Sequence, residues 1–162
     1  MSTLHKLIFK DIIDFKQLLN PNKRILGFDY GTARIGCAVS DYSGKIALAV
    51  KLFDHKNKFN SKVLDEIITE YDIGGLVVGY PFQMDGLEGK SCALIDKFIA
   101  NFLIAKNLPI FLQDERLSSF TVNKGMKQLN FDVKKRLNSL DIASATYLLQ
   151  IVLDKLNLEY AL

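Results

Sequence analysis

The sequence of 162 residues has no tryptophan, two cysteines, two histidines and no uninterrupted apolar run of 18 residues. Lys, Asp or Glu breaks each apolar segment, so a membrane-spanning helix is not predicted. Cys37 and Cys92 lie in apolar surroundings, which predicts buried, reduced thiols and a cytoplasmic location. His5 and His55 are isolated in surface-type segments. Zinc sites, serine triads and histidine bases therefore lack candidates.

The first twenty residues lack the compact apolar core and the small-residue cleavage site of a secretion signal. A hydrophobic content of 49% predicts one globular domain with a core. The net charge of +3 is too small to indicate a polyanionic ligand by itself. One segment has five basic side chains against Asp132, and these are Lys124, Lys127, Lys134, Lys135 and Arg136. Such a cluster suits phosphate binding, and a solvated surface explains it equally well on charge alone.

Hydrophobic periodicity predicts the order of the helices and strands. The predicted strands are 24–29, 34–40, 46–53, 75–79 and 109–113, and the predicted helices are 1–20, 59–71, 94–102, 118–129 and 139–156. Turn-type residues separate the first three strands, which indicates an antiparallel meander. The later alternation of helix and strand favours parallel pairing. The predicted fold is therefore α/β, a mixed five-stranded sheet with helices on both faces, preceded by an N-terminal helical extension (1–23) to the main domain (24–162).

Three acidic residues are candidates for one site at the carboxyl ends of the strands, where ligands bind in such sheets. Asp29 ends the first strand and shares a face with Gly27, and the competing interpretation is an aspartate that merely favours the adjacent turn. Glu115 follows the strand 109–113, where a solvated strand exit is the competing interpretation. Asp141 lies within the apolar stripe of the last helix. The competing interpretation is that Asn138 caps this helix and that Asp141, three residues later, only stabilises the first turn. Three carboxylates would suit Mg²⁺ or Mn²⁺.

Four segments of the sequence resemble those of the YqgF family, also called RuvX, of bacterial RNase H-like proteins. They occur in family order at residues 27–41, 78–89, 114–119 and 140–145, and the resemblance spans about residues 24–155. It implies an RNase H-like fold, with acidic metal ligands at Asp29, Glu115 and Asp141. It also implies a cytoplasmic nuclease, described in that family as maturing the 5′ end of pre-16S ribosomal RNA, and formerly as a resolvase of Holliday junctions.

The leading hypothesis is a two-metal-ion nuclease whose carboxylates hold the ions. Arg34, Arg116 and the basic cluster at Lys124–Arg136 would hold the phosphate backbone of pre-ribosomal RNA or of branched DNA. Ribosomal particles are possible partners, and a monomer is expected because no long exposed apolar element remains.

Two other classes of function are considered. Gly27–Thr32 resembles the phosphate-binding turn of the actin and sugar-kinase group, but that group encloses its nucleotide between two such domains and this chain supplies one. A nucleic-acid-binding or ribosome-assembly factor with little catalysis is the third hypothesis. The presence of all three acids disfavours it.

Overall fold

The computed structural model describes residues 6–54, 56–82, 89–114 and 133–158, and for residues 90 and 133–141 it describes the backbone alone. Its centre is a mixed six-stranded sheet with the strand order β1-β6-β5-β2-β3-β4. The strands are β1 (Ile8–Phe9), β2 (Arg24–Tyr30), β3 (Ile35–Ser40), β4 (Ala47–Phe53), β5 (Ile73–Tyr80) and β6 (Ile110–Asp114). The helices are α1 (Ile12–Leu18), α2 (Ser61–Glu70), α3 (Lys90–Phe98) and α4 (Val133–Leu158).

Pairing within the sheet follows the predicted pattern. The strands β2, β3 and β4 form an antiparallel meander, whereas β5 pairs in parallel with both β2 and β6. Parallel neighbours need a crossover connection, which α3 supplies between β5 and β6. Helix α2 leads from the edge strand β4 back to β5, which lies beside β2. The predicted fold class, a mixed α/β sheet with helices on both faces, is confirmed. The described residues form six strands, however, and not the predicted five.

Two apolar cores lie on opposite faces of the sheet. One contains Leu26 and Phe28 of β2 and is covered by α2 and α3 through Leu64 and Phe98. The other contains Ile25 and is covered by α1 and α4, with these buried members: Phe15, Ala145, Leu148, Leu149, Val152 and Leu153. Since side chains of a strand alternate between faces, the odd-numbered residues of β2 point toward α4.

The N-terminal segment corrects the prediction of one helix over residues 1–20. Ile8 and Phe9 form β1, which pairs in parallel with Ile110 and Phe111 of the edge strand β6. Asp11 then caps α1 by accepting hydrogen bonds from the backbone N–H groups of Ile13 and Asp14. The open edge of β6 offers unpaired backbone groups, and pairing with them outweighs the helical pattern of the segment. The predicted extension therefore completes the sheet.

The last helix also begins earlier than predicted. It begins at Val133 rather than near Ser139, so the backbone of Lys134, Lys135 and Arg136 is helical and not a loop. Lysine and arginine are good helix formers, which accounts for the early start. Asn138 lies inside the helix, so the alternative in which it caps the helix is wrong.

Helix α4 runs antiparallel to β2. Near its end, the Asn157 side-chain amide donates to the carbonyl of Gly44, in the turn that follows β3 at the N-terminal edge of β2. Further back along the helix, Leu149 packs on Gly27 in the middle of β2. The N-terminal half of α4 is thus directed toward the edge at which β2 ends.

The structure describes both cysteines and the helices of the ranges given above. Cys37 and Cys92 are both free and buried, as predicted. Burial raises the pKa of the Cys37 thiol, an effect that the charge of Lys51 opposes. None of the helices in the described ranges has the length and apolar character needed to cross a bilayer.

Candidate active site at one edge of the sheet

The carboxyl ends of β2, β5 and β6 lie at one edge of the sheet because these strands run in the same direction. Phe28 is level with Val78, and Tyr80 is level with Asp114, so the residues that end the three strands lie side by side. Adjacent strands are about 4.8 Å apart. The edge therefore gathers Asp29, Tyr80 and Asp114, which the sequence separates by tens of residues.

Asp29 is the first predicted site residue that the structure places at this edge. It pairs with Gly36 of β3, is half-buried, and falls on the α4 face together with Ile25 and Gly27. A Cβ added at Gly27 would lie 3.0 Å from the Cβ of Leu149. The close approach to Gly27 is thus made by α4.

Arg34, a predicted phosphate contact, lies at the same edge in the turn between β2 and β3. The backbone N–H of Gly31 donates to the carbonyl of Arg34 at 2.9 Å, which closes the turn. A Cβ at Gly31 would come within 3.0 Å of that carbonyl oxygen, so the tight closure favours glycine there. Arg34 is half-buried and follows Asp29 by five residues in the sequence. The turn keeps its backbone at the same end of β2 as Asp29.

The end of β6 is tied to α4 through Gln113. This side chain is 5% exposed, and its amide oxygen accepts a hydrogen bond from Nζ of Lys155 at 3.0 Å. Its amide nitrogen donates to the backbone carbonyl of Asp114, also at 3.0 Å. A buried amide with both ends satisfied holds its surroundings in place, because breaking either bond would leave a buried polar group unpaired. The last residues of β6 are thus fixed relative to α4.

Tyr80 ends β5 between the two acidic strand ends. Its hydroxyl donates to the Asp96 carboxylate, with Oδ1 at 3.1 Å, and the thiol of Cys92 donates to the carbonyl of Pro81 at 3.4 Å. Burial, together with the neighbouring Cys92 and Asp96, raises the pKa of Tyr80. Tyr80 therefore stays protonated at neutral pH and acts as a hydrogen-bond donor rather than as a base.

The other predicted site residues divide into two groups. Asp141 and the basic residues Lys134, Lys135 and Arg136 lie on α4, where the structure describes their backbone. Position 141 is one turn before Ala145 along the helix. Glu115, Arg116, Lys124 and Lys127 lie outside the described residues.

One cation at this edge was not among the predicted contacts. Nζ of Lys56 lies 3.9 Å from the centre of the Tyr30 ring, and Tyr30 directly follows Asp29. Lys56 belongs to a short 3-10 turn, Lys56–Lys58, that follows β4. The signal in the sequence was weak, since two lysines beside a single histidine and an aspartate are ordinary for a surface turn.

The described side chains do not by themselves make a metal site. No three side chains of His, Cys, Asp or Glu come together among them. Asp29 and Asp114 supply hard oxygen donors at the ends of β2 and β6, which β5 separates, and such donors suit Mg²⁺ or Mn²⁺ rather than a softer metal.

Comparisons with known proteins agree with the resemblance in the sequence. Residues 23–155 match the RuvX family, described as Holliday junction resolvase. A Rickettsia bellii (strain OSU 85-389) protein named "Putative pre-16S rRNA nuclease" is 32% identical over 153 residues, which cover 93% of this chain and 99% of that protein. A protein of the same name from Rickettsia canadensis (strain McKiel) is 34% identical over 153 residues and covers 93% of this chain and 98% of its own length.

Two solved structures were also similar. They are T. thermophilus RuvC in complex with a Holliday junction substrate, with a TM-score of 0.45, and a Fowlpox virus resolvase in complex with Holliday junction DNA, with a TM-score of 0.41. Each is 11% identical and covers 85% of this chain, and the matches cover 96% and 95% of the respective structures. Both scores are too low to carry an argument about function.

Proposed function

This chain belongs to the RuvX family, and we propose that it is a nuclease that hydrolyses phosphodiester bonds in the 5′-end processing of pre-16S ribosomal RNA. The relatives at 32% and 34% identity are matched over nearly their whole length, so the family match is not confined to one motif. The observation that carries the proposal is the position of Asp29. It is half-buried at the end of β2, on the face covered by α4, and α4 carries residue 141 toward that end.

The proposed catalytic residues are Asp29, Glu115 and Asp141. Glu115 directly follows Asp114, the last residue of β6. Asp141 belongs to the apolar stripe that the sequence predicts for the last helix. The sequence pattern thus favours bringing all three acids to one edge of the sheet.

These carboxylates would hold Mg²⁺ or Mn²⁺, because their oxygen atoms are the ligands that both ions prefer. When bound, such ions activate water and stabilise the leaving oxygen at a phosphodiester. Arg34, Arg116 and the predicted basic cluster Lys124, Lys127, Lys134, Lys135 and Arg136 would hold the phosphate backbone. Lys155 and Gln113 are positioning residues, because their hydrogen bond fixes the end of β6, directly before Glu115 in the sequence.

The proposal is tested by cleavage of a pre-16S rRNA 5′ leader in Mg²⁺ or Mn²⁺, with a chelator as the metal-free arm. Asp29→Asn and Asp141→Asn should each lower the rate at least about 100-fold, since each removes a charged ligand and not merely an outer contact. Asp154→Asn is the matched control, because Asp154 is an exposed acid on α4 whose described bond is to Gln150. Rates for the two site variants equal to that of the control would refute the assignment.

Branched DNA is the alternative substrate, favoured by the description of the RuvX family. Cleavage of a four-way junction, with the leader RNA left intact, would select it. A binding factor without catalysis remains the alternative of another class, supported if the protein binds RNA but cleaves neither substrate in any metal. Ribosomal particles as partners, a monomeric state and a cytoplasmic location are further parts of the proposal.

A further inference from the structure

A second group of cations lies beside the acidic edge, and Lys56 is its best-defined member. The Tyr30 ring packs against Phe98 at 4.8 Å, and Nζ of Lys56 lies 3.9 Å from its centre. An ammonium at this distance is attracted by the ring, which restrains a side chain that would otherwise be mobile. Lys56 is also half-buried. Its charge is thus held near the residue that follows Asp29.

The strand order explains why Lys56 is at the same edge as Asp29. Both β2 and β4 pair antiparallel with β3, so they run in the same direction and end at the same edge. Phe53, the last residue of β4, is level with Ile35, and Ile35 is level with Tyr30. Two strand spacings, about 10 Å, separate the end of β4 from the end of β2.

Two further lysines join Lys56 at the end of β4. Nζ of Lys51 lies 5.1 Å from the centre of the Phe53 ring, and Lys58 is exposed in the turn. None of these three ammonium groups is paired with a carboxylate in the part of the chain that the structure describes. Asp54 is the one acidic residue between Lys51 and Lys58. We call Lys51, Lys56 and Lys58 the lysine patch.

We propose that the lysine patch binds the backbone phosphates of the nucleic-acid strand whose scissile phosphate lies at Asp29. The inference rests on the proposed function and extends it to the path of the substrate. Carboxylates repel a phosphate backbone, so a strand at this edge needs compensating cations close by. A distance of about 10 Å corresponds to about three nucleotides of a duplex strand, at about 3.4 Å of helix axis for each charge. Tyr30 and Phe53 face the α3 side of the sheet, whereas Asp29 faces the α4 side, so a strand bound at both places would cross the edge of the sheet.

The salt dependence of binding tests the patch directly. Affinity for a labelled pre-16S rRNA 5′ leader and for a four-way DNA junction is measured from 50 to 200 mM salt without divalent metal, so that no cleavage occurs. Each phosphate contact adds about 0.7 to 0.9 to the slope of log affinity against log salt. The Lys56→Gln, Lys58→Gln double variant should thus lower the slope by about 1.5 and weaken binding about tenfold at 100 mM salt.

A matched control keeps the charge change equal. Lys23 and Lys45 are exposed and lie at the opposite edge of the sheet, just before β2 and in the β3–β4 turn, so their double change to glutamine should leave the slope within about 0.5 of the wild-type value. Lys56→Arg keeps a cation over Tyr30 and should bind as the wild type does.

Equal slopes for the two double variants would overturn the inference and leave the nuclease proposal standing. If the unmodified protein shows no salt-dependent binding to either nucleic acid, the proposed function fails, and the inference fails with it.

Discussion

Replacing Gly27 by valine would test how α4 is held over Asp29. A Cβ at position 27 would lie 3.0 Å from the Cβ of Leu149 and within 3.6 Å of both its methyl carbons, before the two extra methyl groups of valine are placed. Inserting atoms into such a contact costs about 1–3 kcal/mol. Replacing a glycine within a strand also stabilises the fold by about 0.5–1 kcal/mol, which offsets part of that cost. The free energy of unfolding should therefore fall by about 1–2 kcal/mol.

A double-mutant cycle isolates the contact, with unfolding in urea followed by circular dichroism. Leu149→Ala alone should cost about 2–5 kcal/mol, because Leu149 is fully buried and its loss leaves a cavity. In the double variant, the valine occupies part of that cavity. The combined cost should therefore be smaller than the sum of the two single costs by at least about 1 kcal/mol. Additive costs, or a Gly27→Val protein as stable as the wild type, would refute the close packing.

The Gly27→Val variant should also lower the cleavage rate by more than its loss of folding stability alone explains. The backbone of Asp141 is on α4, and a displacement of a catalytic group by about 1 Å can lower a rate about 100-fold. Val152→Ala is the control, because it removes buried volume further along α4 without pushing the helix away from the sheet. Equal cleavage rates for the two variants, measured where both are folded, would show that the distance between α4 and β2 does not matter for catalysis.

Two other predictions concern the turn after β3 and the N-terminal segment. The Asp41 carboxylate accepts hydrogen bonds from Ser43 Oγ and from the backbone amides of Ile46 and Lys45, which lower its pKa from 3.8 to about 2. The stabilising effect of this carboxylate is therefore present above about pH 4 and is lost as the pH falls toward 2. The Asp41→Asn protein should unfold at a lower urea concentration than the wild type at pH 7 and at an equal concentration at pH 2. A difference in urea midpoint that does not change with pH would contradict this. Phe15→Ala should lower the free energy of unfolding in urea by about 3–5 kcal/mol, since Phe15 is fully buried and its ring centre lies 5.3 Å from that of Phe111. The control is Ile13→Ala, at an exposed residue, which should change the free energy of unfolding by less than about 0.5 kcal/mol. Equal effects of the two variants would mean that α1 is dispensable.

The main sheet could be predicted because its patterns are local. Strands β2 to β6 are short apolar runs bounded by turn residues, and the change from hairpins to helix crossovers sets their directions. The strand β1 could not be predicted in this way. Ile8 fits a helical stripe with Leu7 and Ile12, and its strand state depends on the edge of β6, about a hundred residues away. Such pairing is a tertiary effect that a local pattern does not contain.

The site was predictable in part for the same reason. Asp29 could be placed because it ends a strand whose alternation is clear, and the structure has it on the face of α4. The lysine patch was not predicted, because it depends on β4 ending beside β2 and on the Tyr30 ring lying beneath Lys56. The start of α4 was misplaced because a run of lysine and arginine is compatible with either a loop or a helix.

The packing of α4 on the meander also determines the order in which the molecule can be assembled during synthesis. Gln150 bonds to Ala47 across 103 residues, and Asn157 bonds to Gly44 across 113. Until α4 emerges from the ribosome, one apolar face of β2, β3 and β4 has no cover. Contacts of such long range slow folding, and an uncovered apolar face is prone to aggregate. The nascent chain should therefore depend on chaperones until the helix has been translated.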